Sequence, residues 1–143
     1  MGEHAKEALR LHEEYGCNCA SCIFAAYGDL TGLDFETASR IASSFGGGMG
    51  RLEQACGAFS GILLVYGLLH GPAGGEGKQE HYAVVRDMAA EFTARCGALT
   101  CPDLLGPVLY TPANAEILAQ RKQRCSAIIA AACDLLDERL KQK

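Results

Sequence analysis

Cysteine is what most constrains this chain. Eight are present in 143 residues, and four of them, Cys19, Cys56, Cys101 and Cys125, are spread along most of its length. Residues so far apart cannot form a local metal knuckle, so if they act together the fold must gather them from separate elements. Folding itself does not require disulfides. Apolar residues make up 49% of the chain, and a protein of this size buries roughly two thirds of its unfolded surface. A single domain over residues 1–143 is expected, with the cysteines left free for chemistry.

The formal charge of −4 is spread over interleaved acids and bases, with no Lys or Arg tract and no Trp. Nucleic acid is therefore not an expected partner, because phosphate binding needs a concentrated basic face. The longest apolar stretch, Gly57 to Leu69, is too short to span a bilayer and is interrupted by Gly61 and Gly67. Met1 to Glu7 lacks the basic and then apolar pattern of a secretory signal, so a cytoplasmic location is expected. In a reducing compartment multiple cysteines read as metal ligands or redox thiols sooner than as structural bridges.

Helical spacing runs through the chain and clean period-two alternation is absent, which predicts an all-α bundle of about five to six helices. Ala5, Ala8 and Leu9 mark a first helix over 3–15, stopped by Gly16. Asn18 is a suitable N-cap for a second, buried helix that opens at Cys19. Asp34 caps a third over 35–45, ended by the glycine run Gly46 to Gly50. A long apolar helix is predicted from Leu52 to His70, then a loop at Gly71 to Gly75. A one-sided helix follows over 76–95, closed by Gly97. Cys101 to Gly106 reads as a short turn with Pro102 near its start, and a last helix is predicted over 112–140.

On this reading Cys19, Cys56 and Cys101 all lie near helix N-termini, where unpaired N–H groups and the helix dipole favour a thiolate. Cys125 is mid-helix. Four thiolates gathered in a helical core repel one another unless a cation neutralises them, which points to zinc or an iron–sulfur cluster. Thiol–disulfide exchange, with Cys19 or Cys56 attacking and a neighbour resolving, is the enzymatic alternative. A structural zinc site in an interaction module is the third.

The order Asn18-Cys19-Ala20, the glycine run, Cys56-Gly57-Ala58-Phe59-Ser60-Gly61, then Cys101 and Cys125 resembles the C_GCAxxG_C_C family of redox-active proteins. The resemblance spans from about residue 15 to the C-terminus, and its most specific element is Cys56-Gly57-Ala58-x-x-Gly61. It implies a small helical protein whose four hallmark cysteines fall on Cys19, Cys56, Cys101 and Cys125. It also implies redox or metal chemistry, an iron–sulfur cluster included, in a domain found in some proteins beside c-type haem. Gly57 and Gly61 are then expected to lie beside the cofactor. A redox partner protein is expected, its identity not written in the sequence, and the apolar surplus leaves room for a homodimer interface.

Cys17, Cys22, Cys96 and Cys133 exceed the four-cysteine pattern. Cys19-x-x-Cys22 lacks the βαβ surroundings of a thioredoxin motif, and no His follows Cys22 to make a haem attachment. The glycine run lacks a Gly-Lys-Ser/Thr ending and follows a helix, so it is not a nucleotide loop; its expected use is to bring backbone N–H groups to sulfur near Cys56. His70 and His81 flank one loop without ligand spacing. Glu53 is a candidate acceptor behind Cys56, and Arg51 a candidate to offset thiolate charge.

Overall fold

The computed structural model describes residues 1–142. Among them are nine helical elements: α1 (Glu3–Tyr15), α2 (Cys19–Ala26), α3 (Gly28–Thr31), α4 (Phe35–Ala42), α5 (Gly46–Met49), α6 (Gly57–His70), α7 (Lys78–Cys96), α8 (Cys101–Tyr110) and α9 (Ala115–Lys141). α5 is a turn by its backbone, since Gly47 and Gly48 have φ of +67° and +78°. Eight true helices therefore replace the five to six expected, and the described residues hold no strand, only one isolated antiparallel bridge between Ala55 and Thr100. None of the helices is long and apolar enough to cross a membrane.

α2 is the central element. Its side chains from Ala20 to Phe24 are buried, as an eight-residue helix that is apolar almost all round must be. It packs against α1, α4, α6 and α9. The closest crossing is with α6, where a Cβ on Gly61 would stand 3.1 Å from the Ala20 carbonyl oxygen and from Ile23 Cβ. Glycine there lets the two backbones approach and lets Ile23 and Ile62 bury completely, each such burial being worth about 1.5–3 kcal/mol. α1 lays Ala5, Ala8 and Leu11 against α2 and α9. At the far end of α2, Tyr27 is fully buried, and its hydroxyl is shared between Asp137 Oδ1 at 2.8 Å and the Cys133 carbonyl at 3.0 Å.

Three boundaries depart from the sequence reading. The apolar helix begins at Gly57, not Leu52, because the chain from Met49 to Glu53 takes left-handed conformations at Met49, Arg51 and Glu53 that no α-helix accommodates. The helix expected to reach Phe45 stops at Ala42. The predicted turn at Cys101 is a ten-residue helix that passes Gly106 with a kink, Gly106 having φ 74° and ψ 165° ahead of Pro107.

Candidate functional site

Three helix starts converge on one place. Cys19 is the first residue of α2, and Asn18 caps that helix by accepting from Ala20 N at 3.0 Å and Ser21 N at 2.9 Å. Cys56 is the N-cap residue of α6, and Cys101 opens α8 behind the cap Thr100. The Ala55–Thr100 bridge sets the last two side by side: Cys56 N–H donates to the Leu99 carbonyl at 2.8 Å, and Cys101 N–H to the Gln54 carbonyl at 3.0 Å. Gln54 N–H in turn reaches the Gly48 carbonyl at 3.0 Å, tying the pair to the glycine turn. Cys125 comes from the middle of α9, one helical turn after Arg121.

All four of these sulfur-bearing residues line a single cavity of about 40 Å³, walled otherwise by Gly47, Ala58, Leu104, Leu105, Arg121 and Ile128. The four additional cysteines stay outside it. Cys22 and Cys133 are completely buried, Cys22 pointing its thiol back to the Cys19 carbonyl at 3.4 Å. Cys96 closes α7, where its carbonyl receives Arg124 Nη2 at 2.7 Å. Cys17 precedes α2 and is half-buried. Of the two glycines in the motif, Gly57 stands against Cys19 Sγ, while Gly61 lies one turn on, at the α2–α6 crossing.

The cavity holds its thiols in unequal states. Cys19 is pulled well below the ordinary thiol range, first by a hydrogen bond from the Cys56 thiol, then by the Gly47 N–H, both working against burial. Cys56 is pushed up, first by that same bond to Cys19 and then by burial. Burial raises Cys101 to about 11, with Arg121 and Arg51 pulling the other way, and also raises Cys125, which Arg121 again opposes. One thiolate beside three thiols is the arrangement a low-dielectric pocket tolerates without a cation.

Arg121 and Tyr110 are site residues that the sequence reading did not single out for this role. The Tyr110 carbonyl accepts Arg51 Nη2 at 3.1 Å and Arg121 Nη1 at 3.4 Å, its hydroxyl donates to the Gly47 carbonyl at 3.4 Å, and Arg51 lies 4.7 Å over its ring. The one available sequence signal was Arg121 standing four residues before Cys125, the same face one turn earlier. Arg51 draws the raised Cys101 thiol downward, as the smallest of the influences on it. The glycine run does bring an N–H to sulfur, at Cys19 instead of Cys56. Glu53 lies exposed in the left-handed loop, outside the cavity lining, and His70 and His81 both pack on Tyr66, at 5.2 and 5.7 Å between ring centroids.

A protein-family model described as "Putative redox-active protein (C_GCAxxG_C_C)" matches residues 17–139. The chain belongs to this family. The matched span holds every cavity-lining residue, so the C_GCAxxG_C_C pattern and the cavity describe the same part of the molecule. No curated protein and no solved structure matches the chain. Among the described residues, no three His, Cys, Asp or Glu side chains stand in the geometry of a metal site. The donor set of the C_GCAxxG_C_C cavity, four sulfurs with neither carboxylate nor imidazole, is nonetheless that of soft-ligand zinc and iron–sulfur chemistry.

Proposed function

We propose that this redox-family protein works through Cys19 and Cys56 as a dithiol–disulfide couple, with Cys19 the reactive thiolate. The observation that carries the reading is the placement of Cys19, the first residue of α2, and Cys56, the N-cap of α6, on the wall of one cavity, where Cys56 helps to hold Cys19 below the ordinary thiol range. That is the environment that makes a cysteine nucleophilic, and the donor thiol is the group best placed to resolve the product. Oxidation joins the two sulfurs and releases two electrons and the one proton that Cys56 carries; reduction reverses it. The test is equilibration in dithiothreitol redox buffers followed by non-reducing peptide mapping. A Cys19–Cys56 disulfide is the expected product, and eight intact thiols under oxidising conditions would overturn the proposal.

A metal or iron–sulfur centre is the second reading, and a different observation favours it. Cys101 and Cys125 have no part in the pair, yet they line the same cavity while the other four cysteines do not. Cys19, Cys56, Cys101 and Cys125 would hold the group, and a cluster would supply one-electron transfer whereas zinc would supply structure. Iron, zinc and acid-labile sulfide per chain after strictly anaerobic purification decide between the readings.

A further inference from the structure

Arg10, Arg40 and Arg95 each pair with a glutamate about one helical turn away. Arg51 and Arg121 face each other instead. Arg51 Nη2 at 3.1 Å and Arg121 Nη1 at 3.4 Å donate to the same Tyr110 carbonyl, so two positive charges from remote parts of the chain meet at one oxygen. Among the described residues neither arginine makes an ion pair, and no Asp or Glu lines the cavity that Arg121 borders.

Both side chains are held where they are. Arg51 belongs to the loop that is left-handed at Met49, Arg51 and Glu53, a conformation that non-glycine residues keep only where the surroundings impose it. Its stem takes the room that a Cβ on Gly47 would need, Cδ lying 2.9 Å from that position, and its guanidinium sits 4.7 Å over the Tyr110 ring. Arg121 projects from α9, half-buried, on the cavity wall with Leu104 and Leu105. Like charges fixed at short range repel, and an anion between them removes that cost. Each guanidinium has five N–H donors and spends one on the carbonyl.

We infer that Arg51 and Arg121 form a binding site for the carboxylate of a small molecule at the edge of the cysteine cavity. A carboxylate offers two coplanar oxygens, the shape a guanidinium fork matches, and Leu104 and Leu105 give the rest of a small monoanion an apolar wall. A phosphate, with three oxygens and close to two charges, needs more donors than the cavity lining supplies. The site rests on the two arginines alone and stands whether the cysteines pair or hold a metal.

The experiment titrates the reduced full-length protein at constant ionic strength with sodium butyrate, its neutral counterpart butyramide and inorganic phosphate. The arginine Nε–H signals are followed in proton–nitrogen correlation spectra. Butyrate is expected to shift the Arg51 and Arg121 signals along a saturating curve, and butyramide is not. Arg51→Gln and Arg121→Gln should each weaken butyrate by about tenfold or more, the loss of a charge-assisted hydrogen-bonded pair. Lys122→Gln, next to Arg121 but outside the cavity lining, should leave the curve unchanged. Far-ultraviolet circular dichroism checks each variant, and because Arg51 is exposed its variant answers the question if Arg121→Gln does not fold. Shifts that never saturate, equal shifts from butyrate and butyramide, tighter binding of phosphate than of butyrate, or a curve indifferent to both arginine substitutions would overturn the inference. None of these outcomes bears on the Cys19–Cys56 reading, which redox buffer tests separately.

Discussion

Gly57 lies directly beneath the sulfur of Cys19, so that a Cβ on Gly57 would overlap Sγ and would also stand 2.9 Å from the Phe45 carbonyl oxygen. The first residue of α6 is thus shaped around the first residue of α2. Neither the sulfur nor the backbone oxygen can yield without disturbing the other, because Cys19 is anchored by the Asn18 cap and Phe45 leads into the glycine turn.

Gly57→Ala is therefore expected to destabilise the protein by about 1–3 kcal/mol, the usual cost of overpacking a closed site, and to shift Cys19 away from Cys56 and Gly47. Chemical denaturation reads the first effect. Loss of the low-pH thiolate absorbance reads the second. Wild-type stability in the variant would show that α2 and α6 can separate more freely than their contact implies.

Removal of the Cys56 thiol isolates the largest cause of the Cys19 shift. Cys19, lowered to about 6 in the wild type, is expected to titrate at clearly higher pH in Cys56→Ala, since the Gly47 N–H alone must then offset burial. Thiolate ultraviolet absorbance against pH measures this, with Cys19→Ser identifying the step. A thiolate step unmoved by the substitution would transfer the stabilising role to Gly47 and the helix terminus.

The cap, the order of the helices and the position of Cys19, Cys56 and Cys101 each near a helix start were legible because each depends on local chemistry. Asn18 before a small apolar run, Asp34 before Phe35 and Pro102 after Cys101 carry their meaning in sequence. The start of α6 was not legible. Leu52 and Ala55 continue an apolar pattern, but the chain is committed elsewhere by the pairing of residues 54–56 with 99–101, a contact between segments remote in sequence. Arg121 and Tyr110 were hidden for a related reason, since their value comes from meeting at one carbonyl that only the folded bundle places. The division of the cysteines into four inside the cavity and four outside likewise needs the packing of α2 on α9.

Alkali should unfold the protein by way of its buried thiols. Burial raises Cys101 to about 11 and Cys133 to about 12, whereas an unfolded cysteine titrates near about 8.5. A raised folded-state value contributes stability that is fully present below the unfolded pKa and is lost as pH rises towards the folded one. The melting temperature is thus expected to fall progressively between about pH 9 and 12. Cys133→Ala should flatten that slope while lowering stability at neutral pH, and an unchanged slope would show that Cys133 takes no part in the linkage.

Asn18 allows the cap and the thiolate to be separated. Its side-chain oxygen closes the first turn of α2, and its Nδ2 donates to the Ser43 carbonyl at 3.0 Å, holding the end of α4 beside the site. Asn18→Ala removes both and is expected to cost about 1–2 kcal/mol. Asn18→Asp keeps the capping oxygen but loses the donor to Ser43 and sets a second negative charge beside the Cys19 thiolate. Its stability should lie between those of the wild type and the alanine variant, yet its Cys19 titration should be the most strongly raised of the three, because like charges oppose ionisation while a missing cap only weakens support for it. Denaturation and thiolate titration of the same samples give the two orders independently. If the aspartate variant titrates like the wild type, the electrostatics of the Cys19 thiolate are set by Cys56 and Gly47 with no contribution from the start of the helix.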